Sequence, residues 1–330
     1  MKIAIFGLGL IGKQRLKACL ESGNAANNVF CIDPNYSELF IEENPWMYGV
    51  HFYTELPKEL LSQISHAIVS VPHDAATELL LELLEHNIKV LVEKPLGRNL
   101  EEAITISSHK NSHLLSVGFN YRFMPAIQEL KTILEAGDLG NLTNIRIDLG
   151  HGGAPNDKVS WKLDPVLAGG GVVLDPGIHL IDLLQFIFEV NVENFEISGS
   201  TTWKGFWSTG IEESVNIVGY LKDIPFNLTV SIVAWKTRFQ VEVTGTEGYV
   251  QINGRGRTDG PQEIAIGKKW GWMTSSSQQA SEDRRVVANK DFSLQRETEA
   301  WIKEESKVCG IADALNDMKI YDKVMTELNK

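Results

Sequence analysis

One stretch near the start restricts the fold more than any other. Ile3 to Phe6 is a short apolar run, followed by Gly7-Leu8-Gly9-Leu10-Ile11-Gly12 and then by a segment in which Ile11, Leu16 and Leu20 sit among Lys13, Arg15 and Lys17. A second apolar run, Val29 to Ile32, ends in Asp33. The order is strand, glycine turn, helix, strand, acid. In that order the first glycine permits a tight turn, the second lets the backbone approach a pyrophosphate, and the third allows close helix–strand packing. The helix N-terminus supplies N–H donors to the phosphates. A carboxylate roughly 20 residues on accepts the adenosine ribose hydroxyls. The pattern predicts a dinucleotide cofactor contacted by Gly7, Gly9, Leu10, Ile11, Gly12 and Asp33. Asp33 favours NAD, because a 2′-phosphate there meets an unneutralised carboxylate, and Pro34-Asn35-Tyr36 offers no arginine to receive one. Lys13 and Arg15 on the first helix keep NADP as the less favoured alternative.

Further apolar runs follow at a spacing that suits a parallel sheet. Ala67 to Val71 ends at Pro72, Val90 to Val92 ends in Glu93-Lys94-Pro95, and Leu115 to Phe119 ends at Asn120. Helical patterns at Ala75 to Glu85 and near Leu100 to Asn111 separate them. Continuous apolar strands without alternation are those covered by helices on both faces. Ligands of such sheets sit beyond the carboxyl ends of the strands, so Pro72, Glu93, Lys94 and Asn120 join the cofactor candidates. Pro95 biases Lys94 away from the helical region, so Lys94 is presented from extended chain.

At 330 residues the chain is long for one core, and two domains are expected. A formal net charge of −12 argues against a nucleic-acid partner, which needs a clustered basic face. Cys19, Cys31 and Cys309 are widely spaced, which fits a reducing cytoplasm and not a thiolate metal site. Glycines interrupt the apolar opening too early for a signal peptide or a membrane span. Thr274 to Ser281, rich in Ser and Gln, reads as a surface loop.

From about Asn144 the periodicity changes. Ile145, Ile147 and Leu149 alternate with polar residues, as do Phe195 and Ile197, then Leu228, Val230 and Ile232. Val241, Val243, Val250 and Ile252 continue the pattern around Gly245-Thr246-Glu247-Gly248. Alternation predicts an antiparallel sheet packed on one face, its other face solvated or joining copies into a homodimer or homotetramer. Leu294 to Ser306 and Asp313 to Leu328 read as two helices parted at Gly310.

A third motif is Gly169-Gly170-Gly171-Val172-Val173-Leu174-Asp175-Pro176-Gly177-Ile178-His179. Asp175 before Pro176 predicts a helix N-cap with proline at the first helical position. That puts Asp175 and His179 one turn apart, with Asp182 spaced to orient the imidazole. The glycines permit close backbone approach, and histidine suits proton transfer near neutral pH. His151 is placed to line a pocket, whereas His66, His73, His86, His109 and His113 read as surface residues. No set of ligands at tetrahedral-site spacing recurs, so no metal is expected.

Together the amino-terminal glycine motif, Glu93-Lys94-Pro95 and the Gly169-Gly170-Gly171 run leading to Asp175 and His179 resemble the Gfo/Idh/MocA oxidoreductase family. Val117-Gly118-Phe119-Asn120-Tyr121-Arg122-Phe123 and Trp161-Lys162-Leu163-Asp164-Pro165 also look like that family's pattern. Many members carry Asn and a later His where this chain has His73 and Ala76, which touches details of the cofactor contacts. The resemblance implies an α/β fold. Residues 1–120 form a Rossmann doubly wound parallel sheet, and residues 121–330 an α+β substrate-binding and oligomerisation domain with a large, mainly antiparallel open sheet. The last helix packs back onto the first domain, and the active site lies in the cleft between the two. It implies NAD(P)-dependent hydride transfer at a hydroxyl or carbonyl carbon of a sugar or sugar nucleotide. Lys94 and His179 are then the acid–base pair and Asp175 the third catalytic residue. Arg122, Trp161 and Lys162 join Lys94, Asp175 and His179 as substrate contacts. A free cyclitol or polyol substrate is the alternative, and a non-catalytic dinucleotide-binding regulator is the alternative of another class.

Overall fold

In a computed structural model, residues 1–36, 44–153, 161–268 and 281–330 are described; residues 274–280 of the expected loop lie outside them, and Ser281 begins a strand. The chain forms two compact units. The first comprises Met1–Asn120, Val166–Gly169 and Ser293–Met318; the second comprises Tyr121–Pro165, Gly170–Phe292 and Lys319–Lys330. A single cut after Asn120 therefore does not separate them, because the helix Ser293–Ile302 and the start of the helix Ile311–Leu328 belong to the first.

The first unit is built on β1 (Ile3–Phe6), β2 (Val29–Ile32), β3 (His51–Tyr53), β4 (His66–Val69), β5 (Lys89–Glu93), β6 (Leu115–Gly118) and β15 (Cys309–Gly310). Their order across the sheet is β15-β6-β5-β4-β1-β2-β3, parallel except for β15 against β6. β1 lies between β2 and β4, with Phe6 opposite Ile32 and Val69. The strand order reverses there, and that is where ligands of such sheets bind. Helices Leu10–Glu21, His73–Glu85 and Leu100–Ser107 connect the strands. Ile3, Ile5, Ile68 and Leu91 are wholly buried with Leu16, Cys19 and Trp301 in one apolar cluster. Each such aliphatic side chain contributes about 1.5–3 kcal/mol by leaving water, which explains the unbroken apolar runs.

The second unit holds an eight-stranded sheet: β7 (Leu142–Gly150), β8 (Phe195–Trp203), β9 (Ser214–Leu221), β10 (Ile224–Ser231), β11 (Arg238–Gly245), β12 (Gly248–Asn253), β13 (Gln262–Lys268) and β14 (Ser281–Ala288). The order is β14-β13-β12-β11-β7-β10-β9-β8, antiparallel except for β7 beside β10. Ile145, Ile147 and Leu149 are buried while Arg146 between them is exposed. The helix Pro125–Glu135 packs on β12 to β14, and the helix Ile178–Phe188 is buried along most of its length. Among the described residues no helix is long and apolar enough to cross a membrane.

Candidate active site

The glycine turn of the first unit is shaped by its neighbours. A Cβ on Gly7 would lie 2.6 Å from the Ser70 carbonyl oxygen, and one on Gly12 would lie 1.8 Å from that of Gly7. Gly9 meets nothing within 4 Å, so this glycine opens outward. Gly9 caps the helix Leu10–Glu21 without a side-chain hydrogen bond, and the first intrahelical bond shown is Lys13 N–H to Gly9 O, 3.0 Å. The amides of the first turn therefore lie beside an open cradle, which fits a pyrophosphate. Leu10 is 75% exposed there, and Ile11 is half-buried. Asp33, at the tip of β2, accepts from Leu8 N–H (Oδ2, 2.6 Å) and from Asn35 N–H (Oδ1, 2.8 Å). A carboxylate offers about four lone-pair sites, so it keeps capacity for ribose hydroxyls. The residues present fit a dinucleotide.

Lys94 follows β5 at a bend and not in the extended chain expected, half-buried, with a cis bond to Pro95. Pro72 is exposed at the start of the helix His73–Glu85. Three other expectations on this edge change. Arg15 is fully buried: Nε donates to Glu93 Oε1 at 2.7 Å, Nη2 to Glu297 Oε2 at 2.6 Å and Nη1 to Thr298 Oγ1 at 3.0 Å. It is therefore held inside the protein and is not presented to a 2′-phosphate, while Glu93 gives one oxygen to Arg15. Asn120 is buried and donates from Nδ2 to Ser293 Oγ at 2.6 Å. His73 is not a surface residue, whereas His66 is half-buried at the start of β4. The first is buried, with Nδ1 2.8 Å from Ala168 O, and the second packs edge-on against Trp301 at 5.4 Å.

In the second unit, His179 is the second residue of the helix Ile178–Phe188 and 7% exposed, its ring stacked on Tyr121. The helix cap is Gly177, and Asp175 lies in the turn before it, its own N–H bonded to Gly171 O at 2.9 Å. The expected Asp175 cap is thus replaced: Asp175 Oδ2 instead meets Lys162 Nζ at 2.8 Å. Asp182 is buried on the same helix, three residues after His179. It receives Arg122 Nε at 2.8 and 3.0 Å and Nη2 at 2.5 Å, with both side chains buried. Arg122 is committed to that pair, which removes the reason for reading it as a substrate contact.

The glycine run also approaches protein. A Cβ on Gly171 would lie 2.4 Å from Glu212 O, and Glu212 Oε1 accepts from the N–H groups of Gly171 (3.1 Å) and Val173 (3.3 Å). Burial pushes the Glu212 carboxyl above the usual carboxylate range. Glu212 is a residue the sequence reading missed, since its amide partners lie about 40 positions earlier.

Lys162, Asp175 and His151 line one cavity of about 390 Å³ with Gly171, Trp207 and Ile211. Burial, then the charge of Arg255, pushes the His151 imidazole below its ordinary range, so it is neutral near pH 7. Half-buried Trp161 lies beside this lining, Lys162 Nζ standing 5.9 Å from its ring. Among the described residues the cavity presents one cation, one anion and an aromatic wall, which suits a hydroxylated ring.

Comparison with known proteins agrees with the fold of both units. Residues 1–120 match the profile of the oxidoreductase family with an NAD-binding Rossmann fold, and residues 127–251 match the GFO/IDH/MocA C-terminal domain. Glucose-6-phosphate 3-dehydrogenase of Bacillus subtilis (strain 168) is 26% identical over 302 residues, spanning 83% of this chain and 85% of the relative. The scyllo-inositol 2-dehydrogenase (NAD(+)) of the same organism is 23% identical over 259 residues, 76% and 73% of the two chains. Levoglucosan dehydrogenase, solved with NADH and levoglucosan, shares the fold with a TM-score of 0.81 at 16% identity, over 100% of this chain and 97% of that one. With its glycine cradle and Asp33 at the reversal point of a parallel sheet, and a mainly antiparallel sheet in its second unit, the chain belongs to the Gfo/Idh/MocA oxidoreductase family, and its first unit is the family's NAD-binding Rossmann domain.

Proposed function

We propose that this chain is a dehydrogenase that oxidises, and in reverse reduces, one ring carbinol of a sugar or cyclitol, with NAD preferred to NADP. NAD, when bound, takes or returns the hydride. His179 accepts the hydroxyl proton, and Lys94, as ammonium, stabilises the negative charge that develops on that oxygen. Asp175 holds a neighbouring hydroxyl, and Lys162 keeps that carboxylate in place. The observation that carries the reading is the cavity beside Asp175, whose cation and anion already face each other at 2.8 Å. A lining balanced in that way favours an uncharged ring over a phosphorylated or nucleotide-linked one. Relatives named for glucose 6-phosphate and scyllo-inositol support a ring polyol as the substrate class. Preference for NAD rests on Asp33 and on the burial of Arg15. Self-association through the outer face of the eight-stranded sheet is supported by exposed Val218 and Tyr220 on β9.

The test is NADH fluorescence on mixing the protein and NAD with scyllo-inositol, aldoses, glucose 6-phosphate and UDP-sugars. Turnover of a free ring polyol is expected. Cofactor binding without hydride transfer to any of them would replace this reading with that of a regulatory dinucleotide sensor.

A further inference from the structure

The imidazole of His179 and the phenol of Tyr121 lie face to face, ring centroids 4.1 Å apart and planes inclined by 9°. Tyr121 is itself fixed from other directions. Phe239 meets it edge-on at 5.7 Å, and Arg255 stands 5.6 Å from its centroid while donating from Nη1 to its hydroxyl. Asp259 secures Arg255, accepting from Nε at 2.5 Å and from the backbone N–H at 3.2 Å. Buried Gln262 donates to Arg255 O at 3.2 Å. Tyr121, Arg255 and His179 are all more than nine-tenths buried.

We propose that Tyr121, clamped by Arg255 and Asp259, is the positioning residue that fixes the plane of the His179 ring. The inference rests on the role given to His179 above. The second torsion of a histidine is broad, so the ring can swing unless something holds its face. A base has to stand within about 2.6–3.2 Å of the proton it takes. A flat, locked phenol against the imidazole removes the rotation that would break that approach. The Tyr121 hydroxyl is engaged by Arg255, and burial raises its pKa, so it serves as an anchor and not as a proton donor.

The test compares Tyr121→Phe, Tyr121→Met and His179→Ala, using NAD and the best substrate of the polyol panel. Tyr121→Phe keeps the stacked face and is expected to retain kcat within about threefold. Tyr121→Met is expected to lose kcat by about 10²-fold, the scale of a 1 Å misplacement, with KM for NAD unchanged. A readout that needs no substrate is carbethoxylation of His179 by diethyl pyrocarbonate, followed by mass spectrometry. It is expected to be as slow in Tyr121→Phe as in the parent and at least about fivefold faster in Tyr121→Met, because a swinging ring exposes its nitrogens. Tyr121→Phe as inactive as His179→Ala would mean that the hydroxyl acts chemically, which overturns the proposal without any need for Tyr121→Met to fold. Unchanged kcat and unchanged carbethoxylation in folded Tyr121→Met also overturn it. Near-parental turnover in His179→Ala instead removes the role of His179, while the carbethoxylation rates still report on the stack.

Discussion

Arg15 and Glu297 form an ion pair, Nη2 to Oε2 2.6 Å, in which neither side chain has any solvent exposure. The same guanidinium reaches Glu93, the residue before Lys94, so a helix close to the C-terminal end of the chain braces the strand end that carries the proposed catalytic lysine. Burial disfavours the charged guanidinium, but Glu93 and Glu297 outweigh it and hold the Arg15 pKa above its ordinary value. Removing the cation leaves the Glu297 carboxylate in a dry interior, beside the half-buried carboxylate of Glu93. Arg15→Met is expected to lose about 3–5 kcal/mol of stability, the cost of breaking a buried pair from one side. Adding Glu297→Gln should recover part of it. Urea unfolding measures both, and an unchanged midpoint in Arg15→Met would contradict the account.

The Arg122–Asp182 pair leads to a different expectation. Because both partners are buried and bound to each other, Asp182→Asn should weaken folding by more than about 1 kcal/mol through the lost charge-assisted bonds. KM for substrate should stay near the parental value at temperatures where the variant is folded. A large KM effect with unchanged stability would restore Arg122 to the substrate site.

His179→Ala and Lys94→Ala are each expected to lower kcat by about 10²–10⁴-fold, the usual contribution of positioned proton transfer. NAD binding, followed by quenching of protein fluorescence, should be largely kept. Parental turnover in both variants would sink the mechanism.

Cofactor choice turns on Asp33. Asp33→Ala removes the carboxylate that a 2′-phosphate would meet, but also the acceptor of the Leu8 N–H. The ratio of kcat/KM for NAD over NADP should fall by at least about tenfold, a change of ~1.4 kcal/mol, mainly through poorer use of NAD. An unaltered ratio would show that selectivity lies elsewhere.

Stability should also depend on pH through His66. Burial, then the nearby Lys89 ammonium, lowers its pKa to about 4 from an ordinary value of 6.5. Between those values the unfolded chain binds the proton and the folded chain does not. The contribution of His66 is therefore full above pH 6.5 and is lost as pH falls from 6.5 towards 4. Urea midpoints of His66→Gln should show a shallower decline over that window than those of the parent protein.

What the sequence determined by itself was the architecture, a parallel sheet followed by a mainly antiparallel one, and the family to which the chain belongs. Periodicity is a local property, so unbroken apolar runs marked the parallel strands and alternation marked the mainly antiparallel ones, and Gly7, Gly9 and Gly12 with Asp33 marked the cofactor edge. Only the tertiary structure decided which charges face each other. Arg15 and Glu297 are separated by 282 positions, Arg122 and Asp182 by 60, and Gly171 and Glu212 by 41. Nothing in the residues around Arg15 or Arg122 distinguishes a guanidinium held in the interior from one offered to a ligand. The Asp175 cap failed for the same reason: the helix begins at Ile178, two residues after the expected Pro176, with Lys162 and the Gly171 carbonyl engaging Asp175 instead. A buried charge must be neutralised by whatever the fold brings within about 4 Å, and that partner is a property of packing in three dimensions.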